Sequence, residues 1–265
     1  MKKSTSQLIT QYSICLGAIL TIGHLFAGCK ALSPQENIEA PVGTYINQTF
    51  LDMSEDSLLI NIPRYVTELQ FSIPDSAYLN NGFEEFYLHT HQTMDTIHML
   101  DAWYGNGSLQ NLSLIIGKDG NLLMLDTAYT QNSEPSRFVR VQDAEGKERT
   151  FVNELNAKLI SGKYQVTDKS GKQFTAEFMD NGMVNSMPDY DHFELCYAGD
   201  CANECLKPTN LISFTKKGID AIQYYAMERD KSNGKWTLYS LSAPQADIQG
   251  ERMIGDKWLE MSKIK

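Results

Sequence analysis

The chain has 265 residues, 42% hydrophobic, 21% charged and 10% aromatic, the profile of a folded globular protein and not of a disordered, fibrous or multi-spanning one. Its 23 lysines and arginines face 33 acids, a net charge of −10; setting aside the first 28 residues, whose only charges are Lys2 and Lys3, leaves 21 against 33, or −12. A body this acidic repels phosphate backbones, which argues against a nucleic-acid partner.

The chain opens with Lys2 and Lys3, then a mostly apolar run from Tyr12 to Ala27 that includes Ile14, Leu16, Ile19, Leu20, Ile22, Leu25 and Phe26. Charge followed by an apolar run too short to span a bilayer comfortably is the pattern of a secretory signal. The run ends in Leu25-Phe26-Ala27-Gly28-Cys29, which resembles the lipobox of bacterial lipoproteins. That resemblance implies removal of residues 1–28 as a signal peptide and acylation of Cys29. Several acyl chains hold a protein on a membrane far more firmly than one does. Lys30 stands after the cysteine where an aspartate would signal inner-membrane retention, so an outer-membrane anchor is expected. Glu36 and Glu39 are the only nearby acids, and both the periplasmic and the surface-facing leaflet stay open. Residues 29–40 lack helix or strand periodicity and read as a flexible tether.

From Val42 onward, alternation with period two dominates. Leu69, Phe71 and Ile73 alternate with polar neighbours, as do Phe174, Ala176 and Phe178, and Phe193, Leu195 and Tyr197; each set puts one strand face on a core. Glycine turns at Lys118-Asp119-Gly120-Asn121, Glu145-Gly146-Lys147, Lys169-Ser170-Gly171-Lys172 and Ser232-Asn233-Gly234-Lys235 are expected to join antiparallel strands. One short helix is predicted over Phe151–Leu159, where Phe151, Leu155 and Leu159 recur at helical spacing. Two landmarks repeat at nearly one offset. Gly43-Thr44-Tyr45 and Gly162-Lys163-Tyr164 lie 119 residues apart, and the Gly120 and Gly234 turns lie 114 apart. A duplicated β unit explains both.

Gly162-Lys163-Tyr164, Gln173-Phe174-Thr175, the Asn181-Gly182 turn and Lys235-Trp236-Thr237-Leu238-Tyr239 resemble lipocalin-like outer-membrane lipoproteins of Gram-negative bacteria, most of them uncharacterised. A glycine and an aromatic opening the first barrel strand is their shared feature. The resemblance covers Leu159–Lys265 and, more faintly, Val42–Arg140. It implies an all-β, antiparallel, lipocalin-like β-barrel architecture and brings no catalytic residues. The expected organisation is a β unit over 41–150 and a second over 151–265, as two units or one enlarged barrel.

His89, His91 and His98 form the sharpest local cluster. Residues two apart share a strand face, so a metal site is conceivable. Phe86 and Leu88 line the opposite face, however, and if that face is the core the histidines point to solvent. No metal and no cofactor are expected. Cys196, Cys201 and Cys205, with His192 nearby, admit a Cys3His zinc site; in an exported protein a disulfide is favoured, with Cys196–Cys201 the preferred pair across a short loop. Enzyme signatures such as Gly-x-Ser-x-Gly, His-Glu-x-x-His or a phosphate-binding glycine loop do not occur in the sequence. The acidic pairs Glu84/Glu85 and Asp189/Asp191 are the kind that glycoside hydrolysis uses, though proximity in sequence does not set their spacing in space. Tyr87, Trp103, Tyr225 and Trp236 are candidates for lining a ligand pocket, with Tyr104, Tyr224 and Tyr239 as further aromatics. On its strand Trp236 shares a face with Leu238, and Tyr239 takes the other.

These readings lead to a non-enzymatic, lipid-anchored envelope protein that binds a small apolar or amphiphilic ligand inside a barrel. The alternative is a structural or interaction module of an envelope complex with a packed barrel interior, and a remote one is an exported hydrolase. The partners implied are the membrane, through the acyl chains, and that ligand.

Overall fold

A computed structural model describes residues 38–103, 109–125, 135–142, 149–199, 201, 205, 207–219, 221–243 and 252–264. Ala40–Lys265 forms one compact unit. Residues 1–28, expected from the sequence to be a signal peptide, and Cys29 lie outside the described residues.

The fold is all-β, built from two eight-stranded antiparallel sheets. The first uses β1 (Gly43–Asn47), β2 (Glu68–Ile73), β3 (Ser76–Asn80), β4 (Glu85–Thr93), β5 (Thr96–Trp103), β6 (Leu109–Ile116), β7 (Leu122–Leu125) and β8 (Ser136–Val141). Each strand pairs with the next, and β8 returns to β1 through Tyr45↔Arg140 and Ile46↔Val139, closing an up-and-down barrel. Closure removes the exposed edges that would otherwise template aggregation.

The second sheet uses β9 (Gly162–Asp168), β10 (Gln173–Phe178), β11 (Val184–Asn185), β12 (Tyr190–Cys196), β13 (Asn210–Lys216), β14 (Ile222–Asp230), β15 (Lys235–Leu241) and β16 (Ile254–Lys263). Its last strand pairs with its first, Met261↔Val166 and Lys263↔Tyr164. The remaining gap, between β11 and β12, is spanned by the Met183↔His192 bridge and the Phe193 N–H donating to Gly182 O at 2.7 Å. This barrel is nearly closed.

The repeated landmarks take equivalent places. Gly43 opens the first strand of one barrel and Gly162 the first strand of the other, both with positive φ, 96° and 136°. A basic side chain from the last strand covers each: Arg140 lies 3.2 Å from where a Cβ would stand on Gly43, and Lys263 lies 2.6 Å from that point on Gly162. The positive-φ backbone disfavours a larger residue at either place, and the covering side chain would have to shift for one. The Gly120 and Gly234 turns each join the sixth and seventh strands. Glu145–Lys147 lies outside the described residues, between β8 and a helix.

Among the described residues two α-helices accompany the barrels. α2 (Thr150–Leu159) buries Phe151, Leu155 and Leu159, the stripe read from the sequence. Arg149 precedes it in a left-handed conformation and supplies no side-chain cap. Instead the buried Glu68 carboxylate, from β2, accepts from Phe151 N–H at 2.9 Å, where an anion meets the positive end of the helix. α1 (Gln48–Met53) was not expected. Asn47 caps it, its Oδ1 accepting from Phe50 N–H at 2.9 Å.

The first barrel is filled by residues such as Tyr45, Leu69, Leu79, Met99, Leu112, Leu114, Leu122 and Phe138. The second core runs from Tyr164, Phe178, Phe214, Trp236 and Leu238 into Phe50, Leu51, Leu59, Ile62 and Phe151. The helices therefore plug one mouth of the second barrel and bind the two halves together. Phe50, Phe151 and Tyr197 meet at the junction, with ring centroids 5.3 to 5.9 Å apart.

Candidate functional site

Two of the aromatics expected to line a pocket, Tyr225 and Trp236, are part of a packed interior. Tyr225 is buried, its hydroxyl 2.9 Å from that of Tyr190, and its ring stacks on Trp258 at 3.7 Å. Burial and the Tyr190 contact push the Tyr225 phenol well above the usual tyrosine range. Trp236 is buried beneath the Arg229 guanidinium, 5.5 Å from the ring centroid. It faces inward with Leu238, as the alternation implies, and also borders a cleft of about 420 Å3 at the plugged mouth. The Trp103 side chain and Tyr104 lie outside the described residues. Sequence reasoning missed Trp258. The register of β16 shifts between Leu238↔Leu259 and Tyr239↔Lys257, so an extra residue packs the half-buried Trp258 against the core beside its buried neighbour Leu259.

On β4, Leu88 is buried and Phe86 half-buried, whereas Tyr87, His89 and His91 are exposed. His91 stands directly opposite His98 in the β4–β5 ladder, and His98 Nδ1 lies 3.3 Å from Ser113 Oγ. Among the described residues no three His, Cys, Asp or Glu side chains come together as a metal site. Cys196 and Cys201 form a disulfide, with sulfurs 2.00 Å apart and Cα atoms 6.0 Å apart. Cys205 stays outside the bond but packs in the same cluster, with Leu211 and Ala226. His192 turns to Asp191, 2.8 Å away.

A wide concavity lies outside both barrels, at the mouth of the first. It is an open groove of about 1000 Å3, walled by Ile60–Tyr65, the β3–β4 hairpin with the start of β4, Asp101 of β5, and Ala198–Gly199 of the second barrel. That volume is at the upper end of the range that takes small molecules. Of the aromatics proposed from the sequence, Tyr87 lines it; Tyr65, Phe83 and Phe86 join it there. Phe83 and Tyr87 are 62% and 61% exposed, large apolar surfaces left to solvent. Glu84 and Glu85 are also on its wall.

The groove wall is held by close interlocking. A Cβ on Gly82 would stand 2.3 Å from the Tyr197 ring, and one on Gly199 would stand 2.5 Å from the Phe83 ring. Arg64 crosses beneath. Its guanidinium lies 5.1 Å from the Phe50 centroid and 5.7 Å from that of Tyr197. It donates to Ile62 O at 3.0 Å and to Tyr197 O. Burial lowers the Arg64 pKa from its usual value, opposed by Tyr197, and burial pushes the Tyr197 phenol up to about 12. The Cys196–Cys201 bond closes the loop that presents Tyr197, Ala198 and Gly199 to this junction.

No protein-family model matches the chain, and neither a curated protein nor a solved structure matches it.

Proposed function

We propose that the chain is a non-enzymatic lipoprotein of the cell envelope, held in the outer membrane through acylated Cys29, that binds a small amphiphile in the open groove. One observation carries the choice of site. Among the described residues the side chains inside both barrels pack against one another, whereas the groove leaves two aromatic faces to solvent beside polar groups. An amphiphile matches that mixture, with its apolar part on Phe83 and Tyr87. The up-and-down order of both barrels and the Gly-x-Tyr strand openings support kinship with lipocalin-like lipoproteins, with the ligand outside the barrel.

The packed interiors also favour a second reading, in which the same exposed aromatics dock a protein partner in an envelope complex. Thermal unfolding of the protein against a panel of fatty acids, steroids and other amphiphiles separates the two. A ligand present at a hundredfold excess over its Kd stabilises the fold by about 2.7 kcal/mol. Such a shift, reduced by Tyr87→Ala and kept by Trp236→Phe, supports the groove reading; no shift with any class gives the lead to the partner. The anchor is tested separately: Cys29→Ser should leave the precursor uncleaved and unacylated, and normal maturation of that variant would refute it.

A further inference from the structure

We propose that Arg64 is the head-group anchor of the groove, selecting single-chain amphiphiles whose head is an anion; this rests on the groove being the ligand site. Among the described residues, Arg64 is the one Lys or Arg lining the groove. Its two hydrogen-bond acceptors are main-chain carbonyls, which orient the guanidinium without neutralising it. Its Nε is buried and has no hydrogen-bond partner among the described residues. No carboxylate pairs with it among those residues either, and none contributes to its pKa, where Tyr197 is the opposing influence to burial.

A cation withdrawn from water without a counter-ion is costly unless something compensates. The faces of Phe50 and Tyr197 compensate in part, and they also fix the charge before any ligand arrives. Donors already oriented lose little freedom on binding, so an incoming anion gains most of the charge-assisted interaction. The acids of the groove lie elsewhere: Glu84 and Glu85 belong to the β3–β4 hairpin and Asp101 to β5. Glu85 is already held by Asn80 Nδ2 at 3.1 Å. The groove thus has a positive anchor on the Ile60–Tyr65 side and aromatic surface at Phe83 and Tyr87. That arrangement suits a carboxylate followed by a hydrocarbon chain.

The test compares three ligands of equal chain length on the full-length chain, each below its micellar concentration: octanoate, 1-octanol and octyltrimethylammonium. Intrinsic fluorescence and thermal unfolding report binding. Octanoate is expected to bind about tenfold or more tightly than octanol, the preference shrinking with added salt, and the ammonium no more tightly than octanol. Arg64→Gln should remove the preference for the acid while octanol binding persists. Because Arg64 also supports the junction, the ligand comparison on the unaltered chain stands without the variant. Equal binding of octanoate and octanol, or tightest binding of the ammonium, overturns the anchor while leaving the groove as the site. Binding by none of the three overturns both.

Discussion

Replacing Phe151 by alanine tests whether the two barrels are one cooperative body. Phe151 is 1% exposed and sits where α2, α1 and the second barrel meet, edge-on to Phe50 at 5.3 Å and tilted against Tyr197 at 5.5 Å. Truncating a buried phenylalanine costs about 3–5 kcal/mol, from lost transfer energy and the cavity left behind. The rigid walls here, strands on one side and a helix capped by Glu68 on the other, limit collapse, so we expect about 4 kcal/mol. For a unit of this size each kcal/mol moves Tm by about 2–4 °C, a fall of roughly 8–16 °C. Far-UV circular dichroism follows all the strands, and tryptophan emission in a Trp103→Phe background follows Trp236 and Trp258 in the second barrel. Both probes should drop together in a single transition. A split transition, with one probe unmoved, would refute the idea that the junction couples the halves. A loss under about 1 kcal/mol would refute the packing argument.

Reducing Cys196–Cys201 should lower stability by roughly 2 kcal/mol, the chain-entropy value for so short a loop, and weaken groove binding; calorimetry with and without a dithiol checks both. Gly199→Ala should cost about 1–2 kcal/mol, since the residue sits at φ 73° in a region that costs other residues that much, and its methyl must also displace Phe83. A ligand titration should show weaker binding in that variant. Tyr164 and Tyr197 have phenols raised by burial to about 12, against about 10 in the unfolded chain. The folded state therefore keeps protons that the unfolded state loses, and stability, complete below pH 10, falls as pH rises toward 12. Denaturant titrations across that window, with phenolate absorbance following the unfolding limb, should show the fall; flat stability from pH 9 to 12 would contradict it.

Much of the barrel architecture was legible because a half-buried strand advertises itself by alternation. Ala176 with Phe178, and Phe193 with Leu195, face the core as their spacing implies. The α2 stripe was readable for the same reason at helical period. Alternation fails where the ladder slips, and the bulge that packs Trp258 against the core left no trace in the pattern. A six-residue helix such as α1 is too short to establish a period. The groove was the least legible feature. Arg64 and Tyr197, which meet there, are 133 residues apart, and the walls are loop and hairpin, where side-chain direction does not follow a period. Arg64 gave one local signal, a lone cation between Ile62 and Tyr65-Val66, and only the fold shows what surrounds it. Tyr87 reaches the groove because it points away from the barrel interior, opposite to the calyx expectation.

The most direct test of the account is a structure of the full-length chain with octanoate bound. The ligand is expected in the groove, its carboxylate within hydrogen-bond distance of the Arg64 guanidinium and its chain along Phe83 and Tyr87, with Trp236 and Tyr225 unmoved. Octanoate inside the second barrel, against Trp236 and Tyr225 and with the groove empty, would contradict it.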